Sequence, residues 1–205
     1  MRPKFWNKGK LYLSKKDKVL KSIIDNYPND YLSINNNYFH CILNSIIGQQ
    51  ISVSAASAIK KRFFLLNKNI NPTNILKIKN QSFKKVGLSK QKILYIKNIA
   101  IFFIENKNFI KNIKRYEENI IKEKLISIKG VGEWTVNMFF IFALGKSNIL
   151  PKKDLGLLKA ISLNYKIKLP IKDNDLEKLV KKWTPYNTIA TWYLWRSLDP
   201  IPVIY

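Results

Sequence analysis

Across most of this chain the apolar residues recur every three or four positions, and glycine interrupts the recurrence at a few places. Phe39, Ile42, Leu43, Ile46 and Ile47 fall at i, i+3, i+4, i+7 and i+8, which is one face of a helix. Gly48-Gln49-Gln50 ends that run, and Ser52 stands where an N-cap would open a second helix carrying Ala55, Ala58, Ile59 and Phe63. Gly87-Leu88-Ser89 is the next break, with Ser89 capping a helix through Ile93, Ile96, Ile99 and Phe103. Ile120, Ile121, Leu125 and Ile128 lead up to Gly130-Val131-Gly132. From Glu133 to Leu144 the chain is apolar on nearly every side, as a central buried helix would be, and Gly145 stops it. Leu155, Leu158 and Ile161 mark a short helix after Pro151; Leu176, Leu179, Val180 and Trp183 mark another; Ile189 to Leu198 form the last. No run alternates with period two, and no segment of 20–50 residues repeats. The expected fold class is all-α.

The 205 residues suit one domain or two small ones and are enough to bury a sizeable core. The single cysteine, Cys41, excludes an internal disulfide, a multi-thiolate zinc site and a four-cysteine iron–sulfur cluster. The single histidine, His40, excludes a histidine-rich metal site. Both read as residues of the helix they share, Cys41 as a small core residue. No apolar run reaches the about 20 residues that span a bilayer. The opening Met1-Arg2-Pro3-Lys4-Phe5-Trp6 lacks the apolar core of a signal peptide, so a soluble intracellular protein is expected.

Lysine plus arginine is 37 against 13 aspartate plus glutamate, a net charge of +24. Such a balance suits an anionic polymer as partner. Only four of the 37 are arginine, however, and isoleucine and asparagine are abundant too. An A/T-rich coding sequence yields that composition whatever the function, so the charge decides nothing by itself.

Two segments bear on chemistry. Gly130 and Gly132 sit between two helical patterns, where glycines let the backbone turn tightly and present N–H groups outward. The following helix adds the unpaired amides of its first turn, near Trp134 and Thr135. Such a nest binds a phosphate without reading a base, but the same residues also make a plain helix–helix turn. Downstream, Leu150-Pro151-Lys152-Lys153-Asp154 ends in an aspartate that opens a helix. One aspartate there is ordinarily just an N-cap.

Taken in order, hairpin, buried helix and loop aspartate make the chain resemble the helix-hairpin-helix DNA glycosylases. Within that superfamily, Ile46-Ile47-Gly48-Gln49-Gln50-Ile51-Ser52 is similar to the segment of the 3-methyladenine DNA glycosylase II group that approaches the minor groove. Trp183-Thr184-Pro185-Tyr186, then Ala190, Trp195 and Arg196, resembles that group's C-terminal motif. The likeness runs from about Phe39 to Leu198. The chain is too short for the N-terminal β-domain of the larger bacterial enzyme and so resembles the compact members.

The resemblance implies roles residue by residue. Asp154 matches the catalytic aspartate. Gly130, Val131, Gly132 and Thr135 match the hairpin that holds a DNA phosphate, with Lys129 in place of the proline often found before the first glycine. Trp134 stands where strand-nicking relatives keep a Schiff-base lysine, which implies a monofunctional enzyme. Trp134, Met138, Tyr186 and Trp195 match the base pocket, with Trp192 as a further aromatic candidate. Gln49 and Gln50 fall at the turn that carries the intercalating wedge, a leucine in the larger enzyme.

The implied function is release of alkylated purines such as 3-methyladenine from duplex DNA in base-excision repair, by hydrolysis of the N-glycosidic bond without lyase activity. A glycosylase for another lesion, or a non-catalytic hairpin module that only binds DNA, remain open readings. No cofactor or metal is expected; an alkali cation at the hairpin is compatible with the motif but not readable from it. The expected partner is double-stranded DNA with damaged bases, with no membrane; the expected state is a monomer, cytoplasmic and nucleoid-associated if bacterial. The expected architecture is one glycosylase domain over residues 1–205, with two helical subdomains flanking a cleft, one over about 35–114 and the other over about 1–34 plus 115–205.

Overall fold

The computed structural model describes residues 1–199. Thirteen α-helices and no strand are present among these residues. In chain order they are α1 (Trp6–Lys16), α2 (Lys18–Asn26), α3 (Tyr38–Gly48), α4 (Val53–Phe64), α5 (Pro72–Lys77), α6 (Asn80–Lys85), α7 (Lys90–Glu105) and α8 (Lys107–Lys111). A 3₁₀ turn, Ile113–Arg115, leads to α9 (Glu118–Ile126), α10 (Glu133–Phe142), α11 (Leu155–Tyr165), α12 (Asp173–Trp183) and α13 (Asn187–Leu198). No helix among the described residues is long and apolar enough to cross a membrane.

The caps behave as the sequence predicts. The Ser52 hydroxyl accepts from the Ala55 N–H at 3.2 Å, and the Ser89 hydroxyl from the Lys92 N–H at 3.2 Å. Each satisfies one of the first-turn amides that a helix cannot pair internally. The helix α1 has no side-chain cap, whereas Asp17 caps α2 in the same way. The polar α1 sequence holds Gly9 mid-helix, which argues against a helix on propensity alone. The glycine is there for approach: a Cβ on it would stand 2.2 Å from Ile189 Cδ1 and 2.8 Å from Tyr186 Cδ1.

The chain divides into two compact units. One is Met1–Asn35 together with the chain from Phe140 on, and the other is Asn36–Phe139. One boundary falls at Asn35–Asn36. The second boundary lies in α10, not near Lys114. The reason is local: Gly130 lies under the Tyr95 ring of α7, and Gln49 donates to both Gly130 and Thr135, so the hairpin belongs to the unit that α3 and α7 build.

In the first unit α13 is the central element, with every residue from Asn187 to Trp195 buried. Trp6 meets Trp192 edge-on at 5.2 Å and stacks near Tyr193 at 5.8 Å. One buried carboxylate pins the unit. Asp17 caps α2 by accepting from the Val19 and Leu20 N–H groups, and it also accepts from the Tyr165 hydroxyl at 2.7 Å and Trp183 Nε1 at 3.0 Å. Burial, with the Asp17 charge beside it, raises the Tyr165 hydroxyl well above its ordinary pKa and keeps it a donor. In the second unit α3 and α7 form the core with Phe39, Ile42, Ile46, Ile96, Ile99 and Phe103. Cys41 is fully buried, and His40 Nε2 lies 2.7 Å from the Ile70 carbonyl, the packing roles expected of them.

Candidate functional site

The turn after Pro151 places Asp154 as the N-cap of α11. Its Oδ1 accepts from the Leu157 N–H at 2.6 Å, the capping bond expected from the sequence. The same oxygen accepts from Trp195 Nε1 of α13 at 2.9 Å. Two donors from two helices therefore fix the carboxylate at the surface of its unit, half-buried, with exposed Lys152, Lys153 and Leu155 around it. Gly156 keeps the space beside it open, since a Cβ there would stand 3.2 Å from Oδ1.

Trp195 thus does something sequence reasoning did not assign. Its indole is 8% exposed and stacks on Phe142 at 6.1 Å with an interplanar angle of 11°, while its N–H orients Asp154. The signal was present as an aromatic in a motif, but the donor role needs three dimensions. Tyr186 does not join it. Its ring stacks with Phe5 at 6.4 Å and meets Tyr12 edge-on at 5.4 Å. It caps α13 nine residues before Trp195, about 13 Å away along the helix axis. Trp192 is core, 1% exposed against Trp6.

The hairpin belongs to the other unit. Gly130 has φ +102°, a left-handed backbone that favours glycine, and a Cβ on it would fall 2.1 Å from Tyr95 Cγ. Gly132 differs: it needs no left-handed backbone, and nothing lies within 4 Å of the place a Cβ would take. Its carbonyl accepts the first bond of α10, from the Val136 N–H at 3.1 Å. The amides of the first turn of α10 lie at its positive end, where an anion is favoured. Val131, expected in the phosphate-binding set, contributes differently. It is buried, and its N–H closes the turn onto the Ile128 carbonyl at 2.9 Å. Glu133 pairs with Lys122 at 2.6 Å. Trp134 is half-buried and Met138, one turn on, is 1% exposed in the core.

The turn after α3 corrects one expectation. Gln49 is not available as a wedge, because its Nε2 donates to the Gly130 carbonyl at 3.2 Å and to Thr135 Oγ1 at 2.9 Å. Gln50 is exposed and holds φ +56°, rare for a residue with a side chain. Ile51 and Val53, 38% and 51% exposed, follow it. Lys92 of α7 donates to the Ile47 carbonyl at 2.7 Å and the Gln49 carbonyl at 2.8 Å. Burial lowers its pKa. No sequence signal separates this lysine from the many others.

Residues 43–191 match the family described as HhH-GPD superfamily base excision DNA repair protein. The chain is 30% identical over 199 residues to DNA-3-methyladenine glycosylase 1 of Schizosaccharomyces pombe, covering 93% of this chain and 86% of that one. It is 29% identical over 189 residues to a putative DNA-3-methyladenine glycosylase of Bacillus subtilis, covering 88% of this chain but 66% of the relative, just under two thirds of its length. Among solved structures, a Schizosaccharomyces pombe 3-methyladenine DNA glycosylase in complex with abasic DNA superposes with a TM-score of 0.81 at 27% identity, covering 93% of this chain and 96% of that one.

Proposed function

The chain belongs to the HhH-GPD superfamily of base excision DNA repair proteins, and from that premise we propose that it is a monofunctional DNA glycosylase that hydrolyses the N-glycosidic bond of alkylated purines such as 3-methyladenine in duplex DNA. The observation that carries the reading is Asp154, held by a helix N-terminus and by the Trp195 indole through one carboxylate oxygen.

The chemistry suits those residues. A base cannot be attacked at its sugar inside the stack, so the nucleotide must flip out, at a cost of a few kcal/mol. Gln50, exposed at the tip of its turn, fills the gap left behind. The amides from Gly132 to Thr135 hold a phosphate, and exposed lysines such as Lys129 add a salt-sensitive grip. When the C1′–N bond breaks, its electron pair leaves with the base and positive charge builds on the sugar. The Asp154 carboxylate stabilises that charge and orients the water whose oxygen adds to C1′ and whose proton is lost. An alkylated purine is cationic, so it leaves readily, and the half-buried Trp134 indole attracts it. Trp134 brings no amine for a Schiff base, which supports hydrolysis without strand nicking. The relatives named above carry alkyladenine glycosylase names, which supports the substrate class.

The test is release of free base from methylated duplex DNA by the wild type and by Asp154→Asn, with a parallel gel for nicks. Asparagine caps a helix as well as aspartate does, so the variant keeps its fold. Release of 3-methyladenine by the wild type alone, at least 100-fold above the variant and without nicks, is expected. Equal release by both, or none from any of a panel of damaged bases, overturns the reading.

A further inference from the structure

The turn that carries Gln50 and the hairpin that offers its amides are joined by two side chains that the reaction itself does not use. Gln49 reaches from the turn to the hairpin, bonding the Gly130 carbonyl and the Thr135 hydroxyl. Lys92 reaches from α7 to the turn, bonding the Ile47 and Gln49 carbonyls. Tyr95, three residues further along α7, lies against Gly130 and accepts from the Gln91 side chain. The three elements thus close a ring, α7 to turn, turn to hairpin, hairpin to α7, all within the unit Asn36–Phe139.

The Gln49 carbonyl belongs to the peptide plane whose orientation defines φ of Gln50. A left-handed residue with a side chain persists only where its surroundings over-determine it. Lys92, bonded to the Gln49 carbonyl, and the Gln49 side chain, anchored on the hairpin, are those surroundings. The Lys92 ammonium has exchanged water for two carbonyls, and its lowered pKa agrees with that.

Resting on the glycosylase reading above, we propose that Gln49 and Lys92 are positioning residues that hold Gln50 at a fixed offset from the hairpin amides, so that gripping a phosphate and entering the base stack become one event. Neither touches the reacting atoms. Loss of either bond set leaves the hairpin able to grip DNA while Gln50 loses its register, and the cost falls on recognition of a flipped or missing base rather than on general affinity.

The experiment uses two duplexes: an undamaged one, and one carrying a tetrahydrofuran abasic analogue with 2-aminopurine beside it, whose fluorescence rises when its stacking is broken. The variants are Gln49→Ala, Gln49→Glu and Lys92→Met, with Lys92→Arg as the conservative replacement. Thermal unfolding checks each fold, and Gln49→Glu, nearly isosteric, keeps the test standing where Gln49→Ala does not fold. Expected are affinities for undamaged DNA within about threefold of wild type, together with a preference for the abasic duplex reduced at least tenfold and a weakened 2-aminopurine signal. Gln49→Glu fails to rescue, because the Gly130 carbonyl needs a donor, whereas Lys92→Arg restores part of the signal. Unchanged preference in the folded variants overturns the inference, as does an equal loss on both duplexes. A wild type with no preference for the abasic duplex overturns the glycosylase reading and this inference with it, whereas a wild type with that preference, matched by its variants, overturns this inference alone.

Discussion

Asp154 caps a helix and accepts an indole N–H through the same oxygen. The first bond is common among helix-opening aspartates; the second is not a capping requirement. Trp195→Phe separates them. It keeps the stack on Phe142 and removes the N–H donor, so the cap and the packing survive while the carboxylate gains freedom. A hydrogen bond to a charged group is worth about 1.5–3 kcal/mol. The expected outcome is a 10- to 100-fold slower single-turnover base release with DNA affinity nearly unchanged. A fall in affinity equal to the fall in rate would instead mark Trp195 as a binding residue. At this scale the aspartate drew attention only through the resemblance that hairpin, buried helix and proline loop carry in order; taken alone it reads as an N-cap. Its orienting partner, 41 positions away, was not legible as one. Tyr186 misled for the same reason: a motif gives the order of aromatic residues, not which ring faces the site, and this one packs on α1.

Among the elements, those that open on serine, aspartate or a glycine break were readable, since capping is a local transaction between a side chain and the next turn. The helix α1 was not, and α2, though Asp17 caps it locally, is also held by partners distant in sequence. Asp17 accepts from the two amides that follow it and from Tyr165 and Trp183 on α11 and α12. Asp17→Asn preserves shape but replaces one acceptor oxygen with a donor, leaving buried donors unpaired. A loss of about 2–4 kcal/mol is expected, read as a lower urea midpoint. Because the hairpin lies in the other unit, it keeps its local structure. The turn after α3 marks the limit of motif reading at this scale. Its two glutamines are neighbours of identical type, yet one is a brace and the other an exposed tip, a distinction set by backbone conformation alone.

Over the whole molecule, the all-α class follows from periodicity, whereas the boundary in α10 does not, since a continuous apolar helix gives no sign that its two ends serve different cores. The net charge of +24 stayed ambiguous in the sequence, and the fold leaves most lysines at the surface. Salt dependence resolves it. Affinity for undamaged duplex is expected to fall at least tenfold between about 50 and 200 mM salt, the response of roughly two or more neutralised phosphates. A flat response would return the lysines to coding composition.

The two hairpin glycines have opposite surroundings, one pressed under Tyr95 and one facing open space. They would therefore part company in a mutational survey. Scored by abundance of folded protein, Gly130→Ala is depleted and Gly132→Ala passes as wild type, because nothing in the chain meets the added methyl. Scored by survival of cells under an alkylating agent, both are expected to be depleted on the function proposed above, in which a phosphate takes the space beside Gly132. The gap between the two scores at Gly132 marks a position whose constraint lies in the partner and not in the fold.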